Sequence, residues 1–410
     1  MRAPSLDRRL LETVFRAAGP APVRVVLGDR VWFTPRGVSA QFTIRVRDRA
    51  TLLALVRDPE IGFGDAYADG RIVVEGDLVQ FLEAAYHTWP DDGNRRWMAR
   101  AISRWFELWQ NNSLRGSKRN IQHHYDLGND FYSLWLDRQM IYTCAYFSSP
   151  EMTLEDAQIA KMDHVCRKLR LQPEESVVEA GCGWGALALH MARNYGARVK
   201  AFNISREQIE FARRRARDEG LNGRVEFIED DYRNIHGRFD AFVSVGMLEH
   251  VGRTHYEAFG DVIHRAIGNS GRGLLHFIGR SRPDHFSRWI RKRIFPGAHA
   301  PSLGESMRVL ERHAYDVLDV ENLRLHYART CSEWLARFEK AGEPIAARYG
   351  EWFRRAWRLY LAGSVAGFSA DSLQLFQVLF AGPRARPPAW TRDHLYTSRD
   401  LEWARQSTTS

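Results

Sequence analysis

The run Val177-Val178-Glu179-Ala180-Gly181-Cys182-Gly183-Trp184-Gly185, with the helical stretch 186–194 behind it, constrains the fold more than any other part of this chain. Apolar residues and one acid form the end of a buried strand, and glycines at every second position then turn the backbone into a helix. Only glycine lets the backbone approach a ligand this closely at a strand-to-helix turn. A phosphate-binding GxGxxG loop would place its third glycine at residue 186, which is alanine, and no P-loop lysine and hydroxyl follow. A zwitterionic amino acid suits the loop better than pyrophosphate.

Strand-like runs at 176–180, 198–204, 224–229, 240–245 and 273–278 alternate with helical ones, which predicts a parallel sheet flanked by helices. The second strand ends in Phe202-Asn203-Ile204-Ser205 with Gln208 one helical turn later, placing polar side chains where a ribose would lie. The third ends in Asp230-Asp231-Tyr232, suited to an adenine. Beyond Gly279 the pattern is mainly helical, and the amphipathic spacing at 334–341 and 349–363 reads as a lid or cap.

Upstream, β-like runs at 25–33 and 40–46 flank the turn-like Thr34-Pro35-Arg36-Gly37, and a helix begins near Thr51. Residues 1–92 therefore read as a small α/β lobe. Asp92-Gly93-Asn94 breaks the chain, and residues 93–120, rich in Arg and Trp, read as a basic aromatic connector. The sheet domain with its cap then runs over 121–390, followed by a tail at 391–410. No internal repeat is present.

Apolar runs such as 52–56 and 274–278 fall far short of the roughly 20 residues that cross a bilayer, and residues 1–11 lack a signal-peptide core. The expectation is a soluble protein that is not exported. The four cysteines, Cys144, Cys166, Cys182 and Cys331, show no CxxC spacing, so neither zinc nor a disulfide framework is indicated, and a reducing cytoplasm fits. A net charge of +9 predicts attraction to an anionic partner, either nucleic acid or an acidic membrane. No RRM signature, C2H2 spacing or basic zipper is present, so nucleic acid is set aside. Residues 286–295, Phe286-Ser287-Arg288-Trp289-Ile290-Arg291-Lys292-Arg293-Ile294-Phe295, interleave cations with aromatic rings as expected at headgroup depth, and 101–109 and 351–361 carry the same mixture. The alternative is a solvated basic face with structural aromatics.

The E/DxGxGxG form of the loop resembles motif I of class I S-adenosyl-L-methionine (SAM)-dependent methyltransferases, where Glu179 would lie near the methionine ammonium. Further segments resemble cyclopropane fatty acid synthases: Ile121-Gln122-His123-His124-Tyr125-Asp126-Leu127-Gly128-Asn129-Asp130-Phe131-Tyr132, Tyr142-Thr143-Cys144-Ala145-Tyr146-Phe147 and Val243-Ser244-Val245-Gly246-Met247-Leu248-Glu249-His250-Val251-Gly252. The resemblance continues through Leu275-His276-Phe277-Ile278-Gly279 and Ile294-Phe295-Pro296-Gly297 to Leu373-Gln374-Leu375-Phe376-Gln377-Val378, and reaches the lobe at 62–70. It implies a Rossmann-like class I methyltransferase sheet with helical lid insertions and a small N-terminal α/β lobe.

The same resemblance implies SAM as cosubstrate, held by Tyr142 and Thr143, by Glu179, Gly181, Gly183 and Gly185, by Asn203 and Gln208, and by Asp231 and Tyr232. The implied chemistry adds the SAM methyl to a cis double bond of a phospholipid acyl chain, leaving a carbocation that loses a proton from the new methyl as a ring closes. Such a site must be dry, aromatic-lined and equipped with a base. The family's base is bicarbonate, and its ligand positions correspond to Cys144, Glu249, His276, Ile278 through its backbone, and Tyr327, which is placed by its distance beyond His276. An anion beside Glu249 is repelled unless one of the two carries a proton.

Taken singly, Cys144 would be an ordinary small core residue, Glu249-His250 a helix cap and His276 a satisfied core histidine, while His123 and His124 lack metal spacing. Their agreement with one pattern reverses this. The sequence departs from the family at Asn203, where Thr is more usual, at Glu179, where Asp is common, and at Pro296-Gly297-Ala298-His299-Ala300 after Arg293. Rival readings are a lipid C-methyltransferase giving methyl- or methylene-branched chains, an amine N-methyltransferase, disfavoured by the bicarbonate ligands, and a catalytically silent SAM- and lipid-binding homologue. The expected partners are unsaturated phospholipid acyl chains and an anionic membrane's inner face, with a homodimer left open.

Overall fold

The computed structural model describes residues 22–33, 39–88, 127–283 and 287–396. The expectations for residues 1–11, the turn at 34–37, the connector at 93–120, His123, His124, Phe286 and the tail beyond 396 lie outside the described residues. By its internal contacts the chain divides into two units.

The first unit comprises Met1–Asn111, His285–Pro296 and Cys331–Ser372. Strands β1 (Val23–Leu27) and β2 (Arg30–Phe33) form an antiparallel hairpin, β3 (Phe42–Val46) runs parallel to β1, and β4 (Ile72–Glu75) pairs antiparallel with β3. The turn at Gly28, with φ of 58°, splits the run that reads as one strand in the sequence. Helices Arg49–Arg57 and Pro59–Ala68 begin where Asp48 and Asp58 accept hydrogen bonds from the N–H groups of Thr51 and Ile61, at 2.8 and 3.2 Å. The long helix Glu351–Ser369 packs on Pro59–Ala68 and Leu78–Thr88. Arg355 reinforces this by donating to the carbonyls of Tyr67 and Ile72, at 2.7 and 3.1 Å.

In the same unit Trp289 is only 4% exposed. It packs over Gly64, where a Cβ would come within 2.4 Å of the ring, and its indole N–H donates to Asp65 at 3.0 Å. Arg293 pairs with Asp65 and Arg288 with Asp58. The ring read as a headgroup anchor is therefore a core residue, because a buried indole that finds a carboxylate partner loses nothing by leaving the surface.

The second unit comprises Asn112–Asp284, Gly297–Thr330 and Leu373–Ser410. Its sheet contains β5 (Ser176–Ala180), β6 (Arg198–Asn203), β7 (Val225–Glu229), β8 (Ala241–Val245) and β9 (Arg272–Gly279), all parallel, with β11 (Gln374–Ala381) antiparallel to β9 and β10 (Asp316–Asn322) antiparallel to β11. The strand order is β10-β11-β9-β8-β5-β6-β7. The five parallel strands match the runs read in the sequence, because strands covered on both faces appear as unbroken apolar runs. The sequence pattern beyond Gly279 reads as mainly helical, yet β10 and β11 lie there. In β10 an irregularity between Val317 and Asp319 breaks the alternation.

One apolar cluster, including Met162, Val165, Leu189, Ile209 and Phe227, and a second, including Phe242, Phe259, Ile263, Phe277 and Val309, form the core. The chain winds outward from β5 through β6 to β7 and returns on the other side at β8, so a crevice opens at the carboxyl ends of β5 and β8. Among the described residues no helix is long and apolar enough to cross a membrane.

Candidate active site

The cleft at that crevice is lined by the loop after β5 (Gly181, Cys182, Gly183, Trp184), the end of β6 (Asn203) with Gln208, the turn after β8 (Gly246, Met247, His250), and the segment 140–143. Glu179 at the end of β5 faces it with 2% exposure, and its Oε2 has no hydrogen-bond partner. Burial pushes this carboxyl up to about 8, against the pull of Lys161. An orphaned buried carboxylate oxygen suits a ligand ammonium, and the residues present therefore fit the methionyl end of SAM. Asn203 Nδ2 donates to Gln208 Oε1 at 2.6 Å and to the Gly183 carbonyl at 3.3 Å, forming a neutral amide floor beside the glycine loop.

The loop glycines divide their work. Gly183 (φ 53°) has open space where a Cβ would be, and it lines the cleft. Gly185 (φ 83°) does not line it; a Cβ there would lie 2.6 Å from Phe227 and 2.8 Å from Ala212, so this glycine lets the helix Ala186–Tyr195 pack on its neighbours. Asp231 and Tyr232 also stand outside the cleft lining. The Asp231 side chain accepts from the Arg233 N–H at 2.9 Å to cap a short turn, and the Tyr232 ring meets Phe259 edge-on at 5.2 Å.

Aromatic rings crowd one side. Tyr132 lies 5.1 Å from Trp184 and 5.6 Å from Tyr142, and Trp135 lies 5.2 Å from Tyr142. Trp184 donates its indole N–H to Asn129 at 2.6 Å, which orients the ring.

A second group of polar atoms is buried at the carboxyl ends of β8 and β9. Glu249 Oε1 accepts from the Ile278 N–H at 2.5 Å, while its Oε2 is buried without a partner. Burial pushes this carboxyl up to about 7. His276, on β9 and 2% exposed, contacts Gln377 Nε2 through Nδ1 at 3.1 Å, and its Nε2 has no partner. Burial holds the ring well below the usual histidine range, so it is neutral. With the Gln377 amide donating to Nδ1, the ring proton sits on Nε2. Ile278, read from the sequence as an anion ligand through its backbone, donates its N–H to Glu249.

Cys144 is fully buried, and burial raises its thiol well above the usual range. Its sulfur points to the Ala145 carbonyl at 3.1 Å and, more weakly, to the Leu323 carbonyl at 3.9 Å, the same carbonyl that accepts from the Tyr327 N–H at 3.1 Å. Ala145 N–H donates to Thr330 Oγ1 and Phe147 N–H to His326 Nδ1, both at 3.0 Å. The loop after Thr143 thus docks on the helix start that bears Tyr327, bringing Tyr327 to the Cys144 loop. Sequence reading missed Lys161, Trp184, Met247, His250 and Gln377. Of these Trp184, Met247, His250 and Gln377 lie in segments that carried the resemblance, and Lys161 lies in none.

The profile of the family described as mycolic acid cyclopropane synthetase matches residues 112–378. The chain belongs to this family. A second profile, described as a domain of unknown function, matches residues 10–90. A probable fatty acid methyltransferase of Pseudomonas putida is 35% identical over 390 residues, covering 92% of this chain and 96% of that one. The cyclopropane-fatty-acyl-phospholipid synthase of Escherichia coli K12 is 36% identical over 351 residues, covering 84% and 88%. A crystal structure of a mycolic acid cyclopropane synthase complexed with SAH and CTAB superposes with a TM-score of 0.61 at 30% identity, covering 64% of this chain and 97% of that chain. This member of the cyclopropane synthetase family is a SAM-dependent methyltransferase with the class I fold, and SAM is its cosubstrate.

Proposed function

We propose that the enzyme transfers the SAM methyl to the cis double bond of an unsaturated acyl chain in membrane phospholipid and closes a cyclopropane ring, with bicarbonate as the base. The observation that supports this reading is the pair of buried, unpartnered atoms Glu249 Oε2 and His276 Nε2, polar groups costly to bury unless a partner satisfies them.

SAM, when bound, supplies an electrophilic methyl group. The residues of the chain do the rest. Tyr142 and Trp184 line the cleft with Tyr132 and Trp135 packed against them, and these rings exclude water and suit a positive charge. Glu249, held near 7 by burial, is able to keep a proton when an anion lies beside it, which removes the repulsion between them. His276 directs its Nε2–H outward because Gln377 occupies Nδ1. The Cys144 thiol stays protonated. In this reading Ile278 acts on the anion through Glu249, and Tyr327 closes the Cys144 side. Bicarbonate, when bound there, supplies the base for proton removal.

The substrate lies in a bilayer, so the enzyme works at the cytoplasmic face of a membrane, drawn to anionic lipid by its net charge of +9. A homodimer is compatible with this reading. The near-equal identity to a synthase and to a fatty acid methyltransferase favours one second reading, in which the same cation loses a different proton and leaves a methyl or methylene branch. The test uses purified enzyme, SAM and vesicles of monounsaturated phospholipid in buffer freed of carbon dioxide. Turnover that falls without bicarbonate and returns on its addition is the expected result; turnover indifferent to bicarbonate contradicts the assigned base.

A further inference from the structure

Apart from the Glu249 and His276 group, a second pair of buried ionisable side chains faces the cleft. Glu179 comes from β5, and Lys161 comes from the helix Leu154–Leu169. Lys161 is 2% exposed, and its Nζ donates to Thr143 Oγ1 at 3.0 Å. Its positive charge acts on Glu179, on Asp137 and on Cys144. Asp137 accepts from the N–H groups of Gln139 and Ile141, at 2.9 and 2.8 Å, and so shapes the loop that delivers Tyr142 and Thr143. From β9, His276 also feels Lys161 and stays neutral. Toward the helix Ala186–Tyr195 the facing pair is His190 with Asp163, and toward β10 it is His164 and Lys168 with Glu321. Lysine is rarely this buried without a task, since an apolar residue fills the same volume at no cost in desolvation.

The cleft is polar in an ordered way. Its lining includes the ionisable Glu179 and Lys161 with Thr143, and the neutral amides of Asn203 and Gln208, which bond to each other. Burial pushes Glu179 up to about 8 and draws Lys161 down to about 8, and each opposes the other's shift. The two groups are coupled within one cleft wall.

We propose that Lys161 is the positioning residue that makes this part of the cleft selective for a zwitterionic amino-acid group, by holding the Thr143 hydroxyl in place and by setting a buried cation in the same cleft wall as Glu179. The inference rests on SAM being the cosubstrate and is independent of the lipid product.

The test is equilibrium binding of three ligands: SAM, S-adenosylhomocysteine, and methylthioadenosine, which lacks the amino-acid end. They are titrated into the full-length wild type, Lys161→Met and Lys161→Arg. Lys161→Met weakens the first two about tenfold or more, leaves methylthioadenosine unchanged, and Lys161→Arg recovers part of the loss. Equal weakening of all three ligands, or of none, overturns the proposal and leaves Lys161 a structural residue. Should Lys161→Met fail to fold, Thr143→Val keeps the lysine and removes its acceptor, and the same selective loss is expected; an unselective loss again overturns the proposal. A wild type that binds none of the three contradicts the cosubstrate itself, an outcome distinct from either.

Discussion

The Ile278 N–H donates to Glu249 Oε1 at 2.5 Å and thereby ties the helix start after β8 to the carboxyl end of β9. One carboxylate oxygen is consumed in holding the side chain still, and the other is left buried and available. A glutamine keeps the first contact and loses the ability to exchange a proton. Glu249→Gln is therefore expected to abolish turnover while SAM affinity, measured by calorimetry, stays near wild type.

The same residue gives a pH signature in stability. Its carboxyl is raised from 4.5 to about 7 in the fold, so the folded state binds a proton more tightly than the unfolded chain. The contribution is present below about pH 4.5 and is lost as pH rises through about 7. Glu249→Gln does not titrate, so its stability relative to wild type should rise across that window by about 3 kcal/mol and level off above it. Denaturant melts at several pH values read this directly, and a difference that does not change with pH would show that the carboxyl is not buried as described.

The two loop glycines should separate binding from folding. Gly183→Val projects into the cleft and is expected to remove SAM binding. The strain of a non-glycine residue at positive φ costs about 1 kcal/mol of stability. Gly185→Ala meets Phe227 and Ala212 and is expected to cost about 3 kcal/mol, from strain and overpacking together. Thermal melts and SAM titrations of both variants check the division.

Gln377 is fully buried and fixes the His276 tautomer through Nδ1. Gln377→Glu replaces the donor with an acceptor, moves the ring proton to Nδ1 and leaves Nε2 without one. Turnover should fall about tenfold or more while SAM affinity is unchanged. NMR of labelled histidine would show the tautomer change, and an unaltered tautomer would refute the assignment.

Much of the site was legible because its residues sit in runs that only one arrangement explains. The glycine loop follows a buried strand, Glu249 follows apolar β8 in the helix Leu248–Val251, and His276 lies within apolar β9. Lys161 was not legible. Together with His164 and Lys168 it forms a polar stripe at helical spacing, which reads as a solvent face, yet all three are buried. Gln377 was hidden in the same way inside an apolar strand. Trp289 misled in the other direction, since an aromatic among four cations reads as surface until Gly64 and Asp65 provide it with a pocket. Strand β10 escaped because its broken alternation and its edge position leave Val317 and Val320 exposed.

Alkylation of an acyl double bond is read by mass spectrometry of membrane lipids. Bacteria lacking such an enzyme are compared with and without this protein expressed. Monounsaturated chains are expected to gain the mass of one methylene, lose the double bond and resist hydrogenation under conditions that saturate alkenes. Unaltered acyl chains, with the purified protein still binding SAM and unsaturated lipid abundant, would contradict it.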